Sequence, residues 1–262
     1  MSRVNNDCPV ISNREIARET YALRFASPEL ASECKPGQFI NVRVDSSYDP
    51  LLRRPYSISN VYGDECEILY AVIGKGTAAL SGKRAGDTLG IIGPLGNTYG
   101  YSGDFSTALL LAGGIGVAPF PLLTGELKSR GIEVHTFIGA RSADRIVRSG
   151  LLDVHVSTDD GSEGFHGTVV ELLHRYLTEN TIAKPRIFAC GPNAMLKAAQ
   201  ALAGGMNLPC ELSLESEMAC GIGICQGCPI ERSSGEQKYA LVCTDGPCFD
   251  SRVIAFSGHG AL

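Results

Sequence analysis

The sequence lacks any cluster of basic residues. Its 23 Lys and Arg are set against 28 Asp and Glu, a formal charge of −5, so no electrostatic footprint for nucleic acid is present. It also lacks a long hydrophobic run. The most apolar stretch, 108–123, is broken by Gly113, Gly114, Gly116, Pro119 and Pro121, and falls short of the roughly 18 uninterrupted apolar residues of a membrane span. The first ten residues include Asn5, Asn6, Asp7 and Pro9 and hold no apolar segment of the kind a secretory signal needs. No membrane anchor is expected, and the expected location is the cytoplasm. There is no internal repeat and no low-complexity tract. What remains is an ordinary globular composition, 44% hydrophobic and 19% charged over 262 residues, enough for two domains or one large one. Ten cysteines stand out. In a reducing compartment such usage points to metal, cluster or redox chemistry rather than disulfides.

The first hundred residues read as short strands separated by turn residues, at 21–27, 38–45, 56–62, 65–73 and 87–92. That spacing predicts a small antiparallel barrel or sandwich. From residue 107 the pattern changes to apolar runs (108–112, 134–139, 151–157, 186–189) alternating with helix-length segments (117–129, 168–177, 193–203). Strand and helix in alternation predict a parallel sheet with both faces covered. After a last strand at 211–214, cysteine and glycine become dense and helical periodicity ends. The expected division is 1–100, 101–214 and 215–262.

The most specific feature is Cys220, Cys225, Cys228 and Cys243, which reads C-x4-C-x2-C, then fourteen residues, then the fourth Cys. This is the spacing of plant-type [2Fe-2S] ligation. Three thiolates must converge from one short loop, and Gly221, Gly223 and Gly227 let the backbone wrap closely. Residues 229–242 read as a hairpin turning at Ser233, Ser234 and Gly235, which returns Cys243 to the loop. Structural zinc also takes four thiolates, but usually from two short Cys pairs, and here only Cys225 with Cys228 is one. Four buried, inert thiols are the blander alternative. That reading suits Cys8, Cys34, Cys66, Cys210 and Cys248.

Two further segments carry cofactor chemistry. Arg53-Arg54-Pro55-Tyr56-Ser57 opens a strand, and Gly74-Lys75-Gly76-Thr77 follows another. A flavin nucleotide needs a cation and amide donors at its pyrophosphate, a flat surface for its ring and a partner at N5, and these residue types supply them. A solvated Arg and a core Tyr account for the same residues. Farther on, 109–119 is an apolar strand, a glycine-rich turn and a helix start, which brings backbone amides to a pyrophosphate. Pro119 stands at the last position of the dinucleotide fingerprint, so the match is not the usual one. An ordinary strand-to-helix turn is the alternative. Cys190-Gly191-Pro192 and Thr158-Asp159-Asp160-Gly161 each end a predicted strand, the edge where open α/β sheets bind ligands. For the Asp pair a solvated turn serves as well.

Together these motifs, which span nearly the whole chain, resemble the ferredoxin reductase-like flavoproteins. Within that family the chain looks most like the electron-transfer subunits of type B, NAD-dependent dihydroorotate dehydrogenases. The cues are Leu51-Leu52-Arg53-Arg54-Pro55, Thr158-Asp159-Asp160-Gly161-Ser162, Met218-Ala219-Cys220-Gly221-Ile222-Gly223 and Val242-Cys243-Thr244-Asp245-Gly246-Pro247. The resemblance implies an antiparallel FAD-binding barrel, a parallel-sheet α/β domain for NAD and a small C-terminal [2Fe-2S] module. It implies that Arg54, in Arg54-Pro55-Tyr56-Ser57, meets the FAD phosphates, Tyr56 lies on the flavin and Ser57 approaches N5. Leu69, Tyr70 and Ala71 would follow the next strand past the flavin, and Gly76 and Thr77 would cover its pyrophosphate. Gly114, Gly116 and Cys190 would line the nicotinamide side, and Cys220, Cys225, Cys228 and Cys243 would hold the cluster. Two departures bear on this. Ala71 stands where relatives often have a basic residue, and Arg141-Ser142 suits a 2′-phosphate, which leaves NADP open beside NAD. The implied partner is an FMN-containing catalytic subunit, in a heterotetramer of two and two. No segment resembles a dihydroorotate site, so oxidation of that substrate belongs to the partner. An NAD(P)H-dependent ferredoxin reductase, a hydrogenase-linked diaphorase subunit, a cluster-based redox sensor and a zinc-stabilised binding module are the alternatives.

Overall fold

In the computed structural model, residues 3–44, 49, 51–235 and 237–256 are described, with side chains from residue 7 onward. Asp45 at the end of one expected strand, Glu236 in the expected hairpin and residues 257–262 lie outside them.

The first third closes into a six-stranded antiparallel barrel. Its elements are β1 (Arg3–Ala17), β2 (Thr20–Ala26), α1 (Pro28–Glu33), β3 (Phe39–Arg43), β4 (Arg54–Tyr62), β5 (Glu65–Ala71), α2 (Lys75–Ser81) and β6 (Thr88–Leu95). The strand order is β1-β2-β5-β4-β3-β6. Five of these strands are the expected ones, and β1 is the addition. Its sequence is polar and includes Pro9, so no apolar alternation announces it. It pairs first with β6 (Val4 opposite Ile92) and then with β2 (Asn13 opposite Leu23), with register shifts at 5/8, 10/12 and 15/17. The bulges turn one long strand around the barrel and remove its open edges. Leu23, Phe25, Ile40, Val42, Ile58, Ile68 and Leu89 fill the interior.

The second part alternates β7 (Thr107–Gly113), α3 (Phe120–Ser129), β8 (Glu133–Ala140), β9 (Val154–Thr158), β10 (Phe165–His166), α4 (Val169–Glu179), β11 (Pro185–Cys190), α5 (Asn193–Gly205) and β12 (Cys210–Ser213). Strands β7 to β12 are parallel, in the order β10-β9-β8-β7-β11-β12. Buried on both faces, β7 is a run of Ala and Leu whose successive side chains go to different cores. Leu109 and Leu111 join Phe137, Val169, Leu173, Leu196 and Ala199 under α4 and α5. Ala108, Leu110 and Ala112 join Val134, Phe120, Leu123 and Leu127 under α3. Thr168 caps α4, accepting from the Glu171 amide at 3.2 Å while Glu171 accepts from the Thr168 amide at 2.8 Å.

The last part holds β13 (Pro229–Glu231), β14 (Tyr239–Leu241) and β15 (Cys248–Asp250). The first two form the expected hairpin, Ile230 opposite Ala240. Strand β15 instead crosses to the large sheet and pairs antiparallel with β12, Leu212 opposite Phe249. Three-residue strands are too short to show periodicity, so the sequence carries no sign of this joint. Among the described residues, no helix is long and apolar enough to cross a membrane.

Candidate functional site

Barrel, sheet and cysteine loop meet at the carboxyl edge of the parallel strands. Helix α3 packs against β4, and the short helical turn Gly114–Val117 against β5. The glycines there have different reasons to be glycine. Gly114 has φ +55 with open space around it, so its backbone conformation is the constraint. At Gly116 the constraint is steric, since a Cβ would lie 2.2 Å from the Cys190 carbonyl oxygen and 2.7 Å from Gly191 Cα. The glycine turn and Cys190-Gly191-Pro192 are thus in contact, backbone to backbone. Cys190 is buried, which pushes its thiol well above the usual range.

On the barrel side, Arg54 starts β4 and is half-buried, its guanidinium donating to the carbonyls of Leu52 at 2.7 Å and Arg53 at 3.3 Å. Arg53 donates to the Gly90 carbonyl. Pro55 and Ser57 are half-buried and Tyr56 is buried. Tyr56 packs edge-on to Tyr70, with 5.9 Å between ring centres. Burial pushes the Tyr56 phenol up to about 12, and its hydroxyl has no hydrogen-bond partner. Tyr70 is committed inward, donating to Asn13 Oδ1 at 2.9 Å and stacked on Tyr21. Leu69 is also buried and packs into the α3-side core, while Ala71 is half-buried at the strand end. Leu69 and Tyr70 therefore have only backbone groups to offer a ligand. Gly76 is buried in the first turn of α2, and Thr77 Oγ1 accepts from the amides of Ile73 at 2.9 Å and Gly74 at 3.1 Å. These residues fit a flavin nucleotide: a cation and strand-end amides on one side, and a buried phenol whose hydroxyl lacks a partner on the other.

Tyr56→Phe tests that fit. With no other use for the hydroxyl, the flavin-free protein keeps its Tm or gains slightly, because an unsatisfied polar group has been removed. FAD affinity falls about fivefold, the worth of one neutral hydrogen bond of ~1 kcal/mol. Flavin release and thermal unfolding read the two effects separately, and a loss of stability without a loss of affinity would place the hydroxyl elsewhere.

The cysteine loop brings its four thiols into two interacting pairs, Cys220 with Cys225 and Cys228 with Cys243. The amides of Cys225 and Ile222 each donate to Cys220 Sγ at 3.4 Å. These bonds, that of Cys225 first, hold the Cys220 thiol down to about 6, so it is already a thiolate, the ligating form, at neutral pH. Cys243 is buried, and burial followed by contact with Cys228 pushes it up to about 12, so a metal must displace its proton. Two thiols per pair, partly charged and backed by amides, are a donor set for a binuclear iron-sulfur centre. Cys225 is the exposed member, flanked by exposed Ile222 and Ile224. Cys8, Cys66, Cys210 and Cys248 are buried and Cys34 half-buried, as their reading as small core residues expects.

Two asparagines that the motif reading passed over seat this loop. Asn41, inside β3, donates to the Cys220 carbonyl at 3.2 Å, and a Cβ at Gly221 would lie 2.6 Å from its Nδ2. Asn97 donates to the carbonyls of Asp245 at 2.9 Å and Cys248 at 2.8 Å, and accepts from the Cys248 amide at 2.9 Å. Both partners are more than 140 residues away in sequence, so no local signal marks them. The Asp159-Asp160 turn has the plainer role, for Asp160 Oδ1 accepts from Ser162 N at 2.9 Å and Ser162 Oγ at 2.5 Å.

Known proteins are similar to this chain in sequence and in fold. A sequence model of the iron-sulfur cluster binding domain of dihydroorotate dehydrogenase B matches residues 215–255, and one of the oxidoreductase FAD-binding domain matches 7–99. The chain is 37% identical over 253 residues to the dihydroorotate dehydrogenase B (NAD(+)) electron transfer subunit of Desulforamulus reducens, covering 94% of this chain and 96% of that protein. With the subunit of the same name from Geobacillus kaustophilus it shares 39% over 249 residues, 92% of this chain and 94% of the other. Among solved structures, an NADH-dependent reduced ferredoxin-NADP oxidoreductase superposes with a TM-score of 0.85 at 27% identity, over 96% of this chain and 91% of that one. The ferredoxin reductase of carbazole 1,9a-dioxygenase shares the fold, with a TM-score of 0.68 at 20% identity over 79% of this chain and 67% of the other.

Proposed function

The chain belongs to the family of dihydroorotate dehydrogenase B electron transfer subunits, and we propose that it carries electrons from an FMN-containing dihydroorotate dehydrogenase catalytic subunit to NAD+ in UMP biosynthesis. Bound at the sites described above, FAD exchanges electron pairs with a nicotinamide and single electrons with a [2Fe-2S] centre, and so couples one-electron to two-electron chemistry. The chain's own residues bind and orient. Arg54, Pro55, Tyr56 and Ser57, the backbone at Leu69, Tyr70 and Ala71, and the turn at Gly76 and Thr77 hold the FAD. Gly114, Gly116 and Cys190 admit the nicotinamide nucleotide against it. Cys220, Cys225, Cys228 and Cys243 hold the cluster. No acid-base catalyst is assigned.

The observation that carries this reading is the convergence at one junction of the glycine turn, the β4 strand with its unpartnered Tyr56 hydroxyl, and the four-thiol loop. The exposed Ile222 and Ile224 beside Cys225 support a partner surface at the loop. NAD is favoured over NADP because the matched relatives are NAD(+) subunits and the Ser142 hydroxyl is committed, donating to the Asp144 carboxylate at 2.5 Å. A heterotetramer of two catalytic and two electron-transfer subunits in the cytoplasm completes the proposal.

The test is dihydroorotate-dependent NAD+ reduction, followed at the NADH absorbance under anaerobic conditions, by the complex that co-purifies with this chain. Activity disappears when the subunit is stripped away and returns when it is added back. Absence of activity in a preparation shown to hold flavin, iron and partner would transfer the chain to a ferredoxin reductase or a hydrogenase-linked complex.

A further inference from the structure

The edge of the parallel sheet opposite the glycine turns carries a side-chain cluster that electron transfer does not use. His135 lies near the amino end of β8, Asp153 immediately before β9 and His155 within it, and Tyr176 reaches them from α4. The parallel register sets Phe137 beside His155. His135 Nδ1 faces Asp153 Oδ2, and His155 Nε2 lies 3.0 Å from the same oxygen. The three ligand-type atoms all fall within 4.8 Å of one another. The rings are held from behind: His155 stacks on Phe137 at 4.8 Å and 13°, and Tyr176 packs edge-on to Phe137 at 5.1 Å.

His135 stands between two carboxylates. Its Nε2 lies 3.2 Å from Glu133 Oε1, so both ring nitrogens face carboxylate oxygens. A neutral imidazole has a single N–H. If Nε2–H donates to Glu133, Nδ1 presents a bare lone pair to Asp153, a repulsion that a cation between them would convert into ligation. Glu133 then serves as the outer carboxylate that fixes the tautomer and orientation of a metal-bound histidine.

We propose that His135 Nδ1, Asp153 Oδ2 and His155 Nε2 bind one divalent transition-metal ion, with zinc the best match to this donor set. Two imidazoles and a carboxylate are borderline donors suited to zinc at about 2.0–2.2 Å. Ligand atoms around such a tetrahedral ion sit about 3.3 Å apart; here His155 Nε2 and Asp153 Oδ2 are 3.0 Å apart and no pair of the three exceeds 4.8 Å, so small side-chain rotations would admit the ion. The side chains of Asp153 and His155 are 53% and 29% exposed and that of His135 11%, so the ion has a path in and an open fourth position on the solvent side. The Tyr176 hydroxyl, 3.2 Å from His135 Nδ1, lies next to it. The ion ties the start of β8 to the start of β9, a structural role at the edge remote from the redox junction.

The experiment uses the holoprotein, with iron-sulfur centre and FAD in place so that the four cysteines are occupied. After treatment with a mild chelator, Zn2+ alone is titrated against a chromophoric competitor, and zinc and iron are counted by mass spectrometry. The expected result is one zinc per chain at unchanged iron content, with a rise in Tm. His155→Asn and Asp153→Asn each lower the zinc affinity about 100-fold or more, and Glu133→Gln lowers it 10- to 100-fold while leaving the stoichiometry at one. Flavin content and NADH oxidation remain at the unsubstituted level in all three, which shows that they fold. No zinc uptake by the unsubstituted protein would overturn the proposal. Equal uptake by His155→Asn would overturn it as well.

Discussion

Cys225→Ser lowers dihydroorotate-driven NAD+ reduction by the complex on the order of 100-fold or more, about 2.7 kcal/mol of barrier, and leaves NADH oxidation with an artificial acceptor at its original rate. The asymmetry follows from where Cys225 stands. It is the exposed thiol of the four, in the same loop as the exposed Ile222 and Ile224, whereas Gly116 of the glycine turn and Tyr56 of β4 are buried. Serine keeps the shape of the loop, but an alcohol gives up its proton far less readily than a thiol and is a poor replacement ligand. Iron content and both rates are measured on one preparation. If the coupled rate survives with the iron depleted, the four cysteines do not carry the electrons between subunits.

Gly116→Val has the second large effect, and it falls on the opposite function. The new Cβ would lie 2.2 Å from the Cys190 carbonyl oxygen and 2.5 Å from its carbon, both backbone atoms, so the ends of β7 and β11 must separate. Overpacking of this kind costs about 1–3 kcal/mol, and here the contact is at the upper end because no flexible side chain can yield. The KM for NADH rises more than tenfold, beyond the factor of ten that ~1.4 kcal/mol commands, while FAD content holds because the clash falls on Cys190 and Gly191 rather than on the barrel strands. Gly125→Ala, on the exposed face of α3, is the control, because nothing lies within 4 Å of its Cβ position. Steady-state kinetics with NADH and an artificial acceptor separate the two, and equal KM values would show that the β7 turn does not meet the nucleotide.

How much of this was legible beforehand varied with the range of the interaction responsible. Strands β2 to β6 announced themselves by turn residues, and the βα alternation from 107 onward by apolar periodicity, because both signals are local. The cysteine ladder was legible because ligand spacing within one loop is itself a geometric statement. Strand β1 was not, since its polar residues and Pro9 are tolerated only where bulges and two successive partners take up the backbone bonds. Helices α1 and α2 carry no signal in the sequence because six and seven residues show barely two turns of periodicity. The four residues Arg54 to Ser57 were legible as a motif, yet that Tyr56 has an idle hydroxyl and Tyr70 a committed one depends on Asn13, 57 residues from Tyr70.

By itself the sequence determined the donor chemistry of this protein: four thiols at cluster spacing, a glycine turn between an apolar strand and a helix, an Arg-Pro-Tyr-Ser strand start. Each of these is a local pattern, whose residue types and intervals already restrict what can bind. Only the tertiary structure decided how the parts are joined. Pairing of β15 with β12 and the reach of Asn41 and Asn97 seat the cysteine loop against barrel and sheet. Gly116 became a steric requirement only once β11 was beside β7. His135 and His155, twenty residues apart, came to share one carboxylate because parallel strands β8 and β9 pair in one register. In each case the deciding term is contact between distant segments, which exists only after the strands have paired.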